Sequence, residues 1–163
     1  MKKAVFVVFM LVGIFFLSEH SIQAQTAAEY DKDIALLRSD VRSAKKQLLA
    51  LNLTLTDVEA TKFWPIYDKY AAEQTKLYDT RVTLIKEYAD NYDTLTNATA
   101  ASLNQRSIAL DQALANLRAK YLPMVAAVLP GKKSALFFQL DKRMSLLIDL
   151  KLASAIPVIL QPQ

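Results

Sequence analysis

Residues 56–92 read TDVEATKFWPIYDKYAAEQTKLYDTRVTLIKEYADNY, and this stretch decides the fold class. Apolar side chains recur in it at spacings of three, four or seven residues: Phe63, Tyr67, Tyr70, Leu77, Leu84 and Tyr88. This spacing follows the 3.6-residue period of an α-helix and not the two-residue period of a strand. At 1.5 Å per residue, about 37 residues predict one amphipathic helix of roughly 55 Å.

The start of this long helix carries its own signal. Thr56 followed by Glu59 has the form of a capping box, in which the hydroxyl and the carboxylate bind backbone N–H groups of the first turn. Pro65 conflicts with a continuous helix, because proline lacks an N–H and clashes with the preceding turn at a cost of about 3 kcal/mol. We therefore expect a bend near residues 61–65; the alternative is a short helical turn followed by a new helix start at Pro65.

A first helix is predicted over residues 26–50, and its apolar face consists of Ile34, Leu37, Val41 and Leu48. Acidic residues near its start and lysines near its end follow the order that the helix dipole favours. The linker of residues 51–55 has leucine at alternate positions, which indicates an extended connector. We expect Leu53 and Leu55 to pack against the other helices.

A third helix is predicted over residues 98–128, with Thr94 or Thr96 as its N-cap. Its apolar seam has spacings of four and three residues: Leu110, Leu114, Leu117, Tyr121, Met124 and Val128. Such a seam is typical of packing against an antiparallel neighbour. Pro123 lies inside this helix, so the two long helices, each with a proline, are expected to curve together.

Gly131 indicates the end of the third helix, and a fourth helix is predicted over residues 132–154. Apolar residues cover more than one of its faces, so it is expected to be central or to be covered partly by a second subunit. Phe137 and Phe138 are expected to divide between the core and a dimer interface. An apolar extended tail is predicted at residues 156–160, because a proline within them disfavours helix.

The N-terminal residues have the pattern of a secretory signal peptide. Two lysines follow Met1, residues 4–17 are apolar, and Ala24 supplies a small residue before the expected cleavage point. The apolar run is shorter than the roughly 20 residues that a membrane-spanning helix needs, which favours a cleaved signal peptide. An uncleaved anchor is the alternative. Removal of residues 1–24 leaves residues 25–163 as a single helical domain in the bacterial periplasm or outside the cell.

The residue types present exclude several classes of function. The chain has no cysteine, and its one histidine, His20, lies in the predicted signal peptide. We therefore expect no disulfide, no metal site, no cofactor and no catalysis by histidine or cysteine. The formal net charge of +4 is small and both signs are mixed along the chain, which argues against a nucleic-acid partner.

Two pairs of polar residues at helical spacing are candidates for a specific role. Asp141 and Asp149 are eight residues apart on one predicted helix, a separation of roughly 12 Å that is too large for a shared proton or a glycosidase pair. No catalytic residue is assigned, and the chain is not expected to be an enzyme. Gln74 and Arg81 continue the seam of the long helix, where they either fix its register by buried hydrogen bonds or lie at an exposed edge.

Two short segments carry a family resemblance. Residues 53–59, LTLTDVE, resemble the Leu-x-Leu-Thr-x-x-Gln signature of the Spy/CpxP-like periplasmic proteins, and residues 95–99, LTNAT, lie where a second copy would be. The matching positions are Leu55, Thr56, Glu59, Leu95 and Thr96, and Glu59 and Thr99 replace the glutamine of the signature. The resemblance implies a curved helical cradle, often an antiparallel dimer, that acts as an ATP-independent chaperone or envelope-stress regulator. Some members bind metal through histidines, which residues 25–163 lack.

Aromatic side chains are the candidates for contact with a client or partner: Trp64, Tyr67, Tyr70, Tyr78, Phe137 and Phe138. Tyrosine suits such a surface, since it joins apolar area to a polar tip. The alternative is that these rings pack the core against the third and fourth helices. Four basic residues could likewise attract acidic clients or lipid headgroups, or form a solvated helix face: Lys132, Lys133, Lys142 and Arg143.

The sequence thus predicts an all-α protein of four helices, two of them long and antiparallel, that forms a homodimer. Its expected function is that of a non-enzymatic chaperone or stress adaptor that binds unfolded or partly folded polypeptides on an amphiphilic helical surface, with peripheral membrane contact as a further option. The alternative is a structural or regulatory protein for one dedicated envelope partner.

Overall fold

Residues 43–154 are the part of the chain that the computed structural model describes. Helix α1 covers residues 43–53, and α2 covers Asp57–Asp90. Helix α3 covers Asn97–Ala126, and α4 covers Gly131–Ser154. All regular structure in this part of the chain is helical, so the prediction of an all-α fold with four helices is confirmed.

A short 3-10 turn, Tyr92–Thr94, joins the two long helices. The N-cap of α3 is Thr96, one of the two candidates, and its hydroxyl accepts a hydrogen bond from the N–H of Thr99 at 3.1 Å. The predictions for residues 1–42 and 155–163, which include the signal peptide and the apolar tail, lie outside the described residues.

Helix α2 begins with the predicted capping box and does not stop at its proline. The N–H of Glu59 donates to Thr56 Oγ1 at 3.3 Å, and the N–H of Thr56 donates to Glu59 Oε2 at 2.8 Å. The helix continues through Pro65, so the alternative of a new helix start at this residue is wrong. Pro65 lies on the exposed side of α2, where water can bind the carbonyl group that proline leaves without an N–H partner.

The connections before α2 and after α3 differ from the predictions. Residues 51–53 continue α1, so only residues 54–56 are non-helical and the extended linker is wrong in its first half. Thr54 ends the helix in the left-handed region with φ 42°. Gly131 is the first residue of α4, whereas α3 ends at Ala126. A tight turn of apolar residues therefore provides the stop that the glycine was expected to provide.

The contacts between helices define their directions. Glu87 near the end of α2 pairs with Arg106 near the start of α3, and Glu73 earlier in α2 pairs with Lys120 later in α3. The two long helices are therefore antiparallel, as predicted. Helix α4 runs parallel to α2, because Phe137 lies against Tyr67 and Asp149 lies near Arg81.

Two clusters of buried apolar residues hold the helices together. The larger one joins all four helices, and its fully buried side chains are Leu49, Leu53, Phe63, Tyr70, Val125 and Phe137. The smaller one joins the far ends of α2 and α3 through Leu84, Leu103 and Leu110.

The seam of α3 departs from its predicted spacing after Tyr121. Leu110, Leu114, Leu117 and Tyr121 are buried as expected, but Met124 is 42% exposed and Val125 is 1% exposed. The next buried residue after Tyr121 is thus four positions along the helix and not three. This spacing keeps the seam facing α2 and α4, because the helical period is 3.6 residues. Met124 was therefore wrongly placed in the core.

Candidate functional site

A buried polar network occupies the centre of the helical bundle. The carboxylate of Asp141 on α4 has no exposed surface, and side chains from the other three helices approach it. Lys45 on α1 donates to its Oδ1 at 2.5 Å, and Tyr70 on α2 donates to its Oδ2 at 2.6 Å. Gln74 on α2 and Arg118 on α3 each donate to it at 3.3 Å. One carboxylate thus connects all four helices.

The charges in this network favour an ionised aspartate. Burial by itself would raise the pKa of Asp141, but the charge of Lys45 and the hydrogen bonds to the carboxylate outweigh it and lower that pKa. Burial lowers the pKa of Lys45, and the attraction of Asp141 opposes part of this shift. Burial and the negative charge of Asp141 raise the pKa of Tyr70, so its hydroxyl stays protonated as a donor. The carboxylate therefore lies between two cations and a neutral phenol.

This network is suited to fixing the packing of the helices and not to chemistry on a substrate. The side chains of Lys45 and Asp141 are 7% and 0% exposed, so no substrate atom could reach the carboxylate. The amide of Gln74 joins the lysine to the tyrosine, since its Oε1 accepts from Lys45 at 2.5 Å and its Nε2 donates to Tyr70 at 3.0 Å. Of the two expectations for Gln74, the structure supports buried hydrogen bonds that fix register.

Sequence reasoning did not find the partners of this network. Asp141 is one helical turn after Phe137 and one before Ser145, and all three are buried. A charged residue at core spacing was the available signal, because a buried charge requires partners. Lys45 is 96 residues away from Asp141 along the chain, so no local pattern could identify it.

The aromatic candidates for client contact divide into two groups. Tyr67, Tyr70 and Phe137 are buried in the larger cluster with exposed fractions of 3%, 0% and 0%. Their rings meet edge to face, with centroids 5.8 Å apart for Tyr70 and Phe137. The alternative interpretation, that these rings pack the core, therefore applies to these three side chains.

The remaining aromatic candidates, Trp64, Tyr78 and Phe138, are half-buried. Trp64 and Phe138 pack at the edge of the larger cluster, and the ammonium group of Lys46 lies 5.4 Å from the Trp64 ring centroid. Phe137 is the core residue of the Phe137 and Phe138 pair. One core residue in this pair was expected. The placement of Phe138 at a dimer interface stays a prediction.

The motif positions act as helix caps and core contacts. Glu59 accepts a hydrogen bond from Lys133 Nζ at 2.6 Å, and the same ammonium donates to the carbonyl of Thr54 at 3.0 Å. The hydrogen bond from Lys133, with that from the backbone of Thr56, lowers the pKa of Glu59. A glutamate in place of the glutamine of the signature therefore links the first turn of α2 to the first turn of α4. Leu55 packs against the larger cluster.

The second motif copy has a simpler role. Thr96 caps α3, and its hydroxyl also lies 2.9 Å from that of Thr99. Leu95 packs against the smaller cluster. Both copies thus mark the beginnings of the two long helices.

The outward face of α4 leaves several large apolar side chains exposed. Leu146, Leu147 and Leu150 are 52%, 67% and 67% exposed. Residues three and four apart are neighbours on a helix surface, so these leucines form one continuous apolar patch. Lys142 and Arg143 lie one turn before it and are exposed. We call these five residues the outer α4 surface, which combines apolar area with positive charge.

Comparisons with known proteins identify no relative of this chain. No family model, no curated protein and no solved structure matches it. The Spy/CpxP-like resemblance therefore stays a prediction. Within residues 43–154, no group of three or more acidic or histidine side chains is arranged to hold a metal ion, and no helix has an apolar stretch sufficient to cross a membrane.

Proposed function

We propose that this protein is a non-enzymatic chaperone or stress adaptor that binds unfolded or partly folded polypeptides on the outer α4 surface. The observation that supports this proposal is the exposure of Leu146, Leu147 and Leu150 on one helix face. Contiguous exposed apolar surface with a polar rim is typical of interaction sites. The expected export of the chain and its resemblance to Spy/CpxP-like proteins, both derived from sequence, favour a client in the bacterial envelope.

The rim of this surface suggests which polypeptides bind best. Lys142 and Arg143 form no ion pair with any side chain of residues 43–154, while Asp141 beside them is buried and neutralised. Their charge would attract clients that carry acidic residues near apolar ones. Since exposed charges are screened by salt over about 10 Å at 0.1 M, we expect added salt to weaken binding without abolishing it.

The apolar part of the binding energy can be estimated from the leucines. Full burial of a leucine side chain contributes about 1.5–3 kcal/mol, so covering one that is two-thirds exposed would contribute about 1–2 kcal/mol. Replacing Leu147 and Leu150 with glutamine keeps good helix formers at both positions. Because tenfold in affinity is about 1.4 kcal/mol, we expect client affinity to fall at least tenfold in the double variant.

Suppression of aggregation tests this proposal. Two unrelated denatured proteins are diluted into buffer without ATP, with and without the purified protein, and light scattering is followed. We expect near-stoichiometric protein to suppress both, and Leu147→Gln/Leu150→Gln to suppress much less. The matched control is Ile108→Gln, because Ile108 on α3 is 61% exposed but lies outside the outer α4 surface.

Two results would contradict the proposal. Failure to suppress either aggregation reaction would exclude a general chaperone and leave a single dedicated partner as the better function. Equal suppression by the double variant and the unaltered protein would exclude the outer α4 surface as the binding site. Homodimer formation, which stays a prediction, is measured in the same samples by sedimentation.

A further inference from the structure

A pocket of ≈ 310 Å³ lies between the far ends of α2, α3 and α4. Its walls are mainly apolar and include leucines from these helices and from the connection between α2 and α3: Leu84, Leu95, Leu103 and Leu152. A cavity of about 150 Å³ lined by apolar side chains binds benzene. The pocket therefore has room for roughly two or three aliphatic side chains.

Helix α4 ends before the groove between α2 and α3 does. Asp149 on α4 and Arg81 on α2 form an ion pair at 3.5 Å, and the two helices are parallel. Ser154, the last residue of α4, is therefore level with about Lys86 on α2. Because α2 continues to Asp90, roughly 6 Å further, no helix of residues 43–154 covers this end of the groove.

The residues that follow Ser154 match the chemistry of the pocket. Residues 155–163 read AIPVILQPQ, in which positions 156–160 are all apolar and no side chain is charged. Such a run is unfavourable in contact with water, and burial against apolar walls removes this cost. Pro157 has no N–H to leave without a partner in the pocket, and it favours an extended conformation at Ile156.

The pocket also lies within reach of this segment. Glu87 on α2 pairs with Arg106 on α3, so Ala100 in the pocket wall lies roughly 10 Å beyond the level of Ser154. An extended chain advances about 3.3 Å per residue. Val158 would therefore come to about the level of Ala100.

We propose that residues 156–160 dock in this pocket as an extended segment that continues the line of α4. Alternate side chains of an extended segment face the same side, so Ile156, Val158 and Leu160 would enter the pocket. This set of aliphatic side chains matches the volume of the pocket. The backbone of the segment would find a donor and an acceptor in the amide of Asn104, which lines the pocket.

The outer α4 surface is a second apolar surface near this segment. Leu150 lies about one helical turn before Ser154, so the chain would have to reverse its direction to cover that surface, whereas the groove lies ahead of α4. None of Leu146, Leu147 and Leu150 lines the pocket. The proposal is therefore independent of the proposed function, and either one can fail without the other.

Disulfide formation between introduced cysteines tests the proposal, because the chain has no cysteine of its own. Val158→Cys is combined with Ala100→Cys in the pocket wall, which we call the pocket pair. The matched controls combine Val158→Cys with Ala101→Cys, on the exposed side of the same helix, or with Leu150→Cys, on the outer α4 surface. Each double variant is oxidised in dilute solution and followed by mass spectrometry and non-reducing gel electrophoresis. We expect the pocket pair to form a disulfide within one chain at least roughly tenfold faster than either control, because a docked segment holds the two sulfurs together.

A charge introduced into the segment supplies a second test, in the chain without cysteines. Leu160→Asp should release the segment, because a carboxylate is unfavourable in an apolar pocket. Gln161→Asp places the same charge one residue further on, outside the apolar run, and is the matched control. Two-dimensional NMR should show shifted amide resonances of Leu95 and Leu103 in Leu160→Asp and unchanged ones in Gln161→Asp. Added to the pocket pair, Leu160→Asp should slow the disulfide at least roughly tenfold, the effect of losing the burial of one leucine.

Either test can overturn the proposal. It fails if the pocket pair reacts no faster than the pair with Ala101→Cys, or if the pair with Leu150→Cys reacts fastest. Disulfides that join two chains would also overturn it, since a second copy would then supply the segment. So would equal amide shifts in Leu160→Asp and Gln161→Asp. Both of these substitutions lie outside α1 to α4, so the NMR comparison stands even where a cysteine disturbs a helix.

Discussion

Replacement of Asp141 by asparagine is the most informative perturbation of this fold. The substitution keeps the shape of the side chain and removes the negative charge that Lys45 and Arg118 approach at 2.5 and 3.3 Å. Lys45 is 7% exposed, so water cannot take the place of the lost carboxylate. Removing one member of a buried ion pair typically costs about 3–5 kcal/mol, because the remaining charge is left buried without compensation.

That cost is a large part of the stability of a domain of this size. Single domains unfold with a free energy of about 5–15 kcal/mol, and 1 kcal/mol corresponds to roughly 4 °C in Tm for a domain of somewhat over 100 residues. We therefore expect Asp141→Asn to lower Tm by about 12–20 °C. Urea unfolding followed by circular dichroism measures the free energy, and an unchanged m-value would confirm that both proteins unfold from similar structures.

An exposed pair supplies the matched control. Lys46 on α1 and Asp68 on α2 form an ion pair at 2.8 Å, but their side chains are 50% and 57% exposed. We expect Asp68→Asn to cost less than about 1 kcal/mol, since exposed ion pairs contribute little. If Asp141→Asn cost no more than Asp68→Asn, the reasoning about the buried network would be refuted.

A double-mutant cycle separates the ion pair from the other contacts of Asp141. Lys45→Met should also destabilise the fold, because it leaves the carboxylate with fewer partners. Since Lys45 and Asp141 are in direct contact, the two substitutions together should cost about 1–3 kcal/mol less than the sum of their separate effects. Additive effects would mean that the lysine and the aspartate do not interact in solution.

Three further predictions concern single positions. Thr54→Gly should raise the free energy of unfolding by about 1 kcal/mol, because a β-branched residue is strained at φ 42° and glycine is not. If urea unfolding showed a lower free energy of unfolding, Thr54 would not be left-handed in solution. Gly131→Ala should raise the free energy of unfolding by about 0.5 kcal/mol, since a Cβ there meets no atom within 4 Å and the position does not need a positive φ. A lower free energy of unfolding in the variant would contradict this backbone geometry. Burial raises the pKa of Tyr67 to about 12 from 10.0, so the neutral phenol contributes stability that is complete below pH 10 and is lost as the pH rises through about 12. Ultraviolet absorbance should therefore show a tyrosine that ionises only together with alkaline unfolding, and a spectrum in which every tyrosine titrates near pH 10 while the helices persist would contradict its burial.

The helices and their caps could be predicted from sequence because their causes are local. Thr56 and Glu59 are three residues apart, and the capping box that they form needs nothing from the rest of the chain. The apolar period likewise repeats within single helices, and α3 and α4 begin one residue before their predicted starts. Pro65 shows the limit of local rules, since packing of the buried face of α2 outweighs the preference of one exposed residue.

Tertiary contacts decided which polar and apolar side chains are buried and which are exposed. Asp141 is buried and Leu147 is exposed on the same helix, an order opposite to their hydrophobicity. The reason is that Asp141 faces Lys45 and Tyr70, which are distant along the chain, while no helix of residues 43–154 covers Leu147. The amino-acid sequence by itself therefore determined the helical class, the caps and the amphipathic faces. Which charges neutralise one another and which leucines remain open to a partner were decided only by tertiary contacts, because these depend on pairs of residues that no local spacing relates.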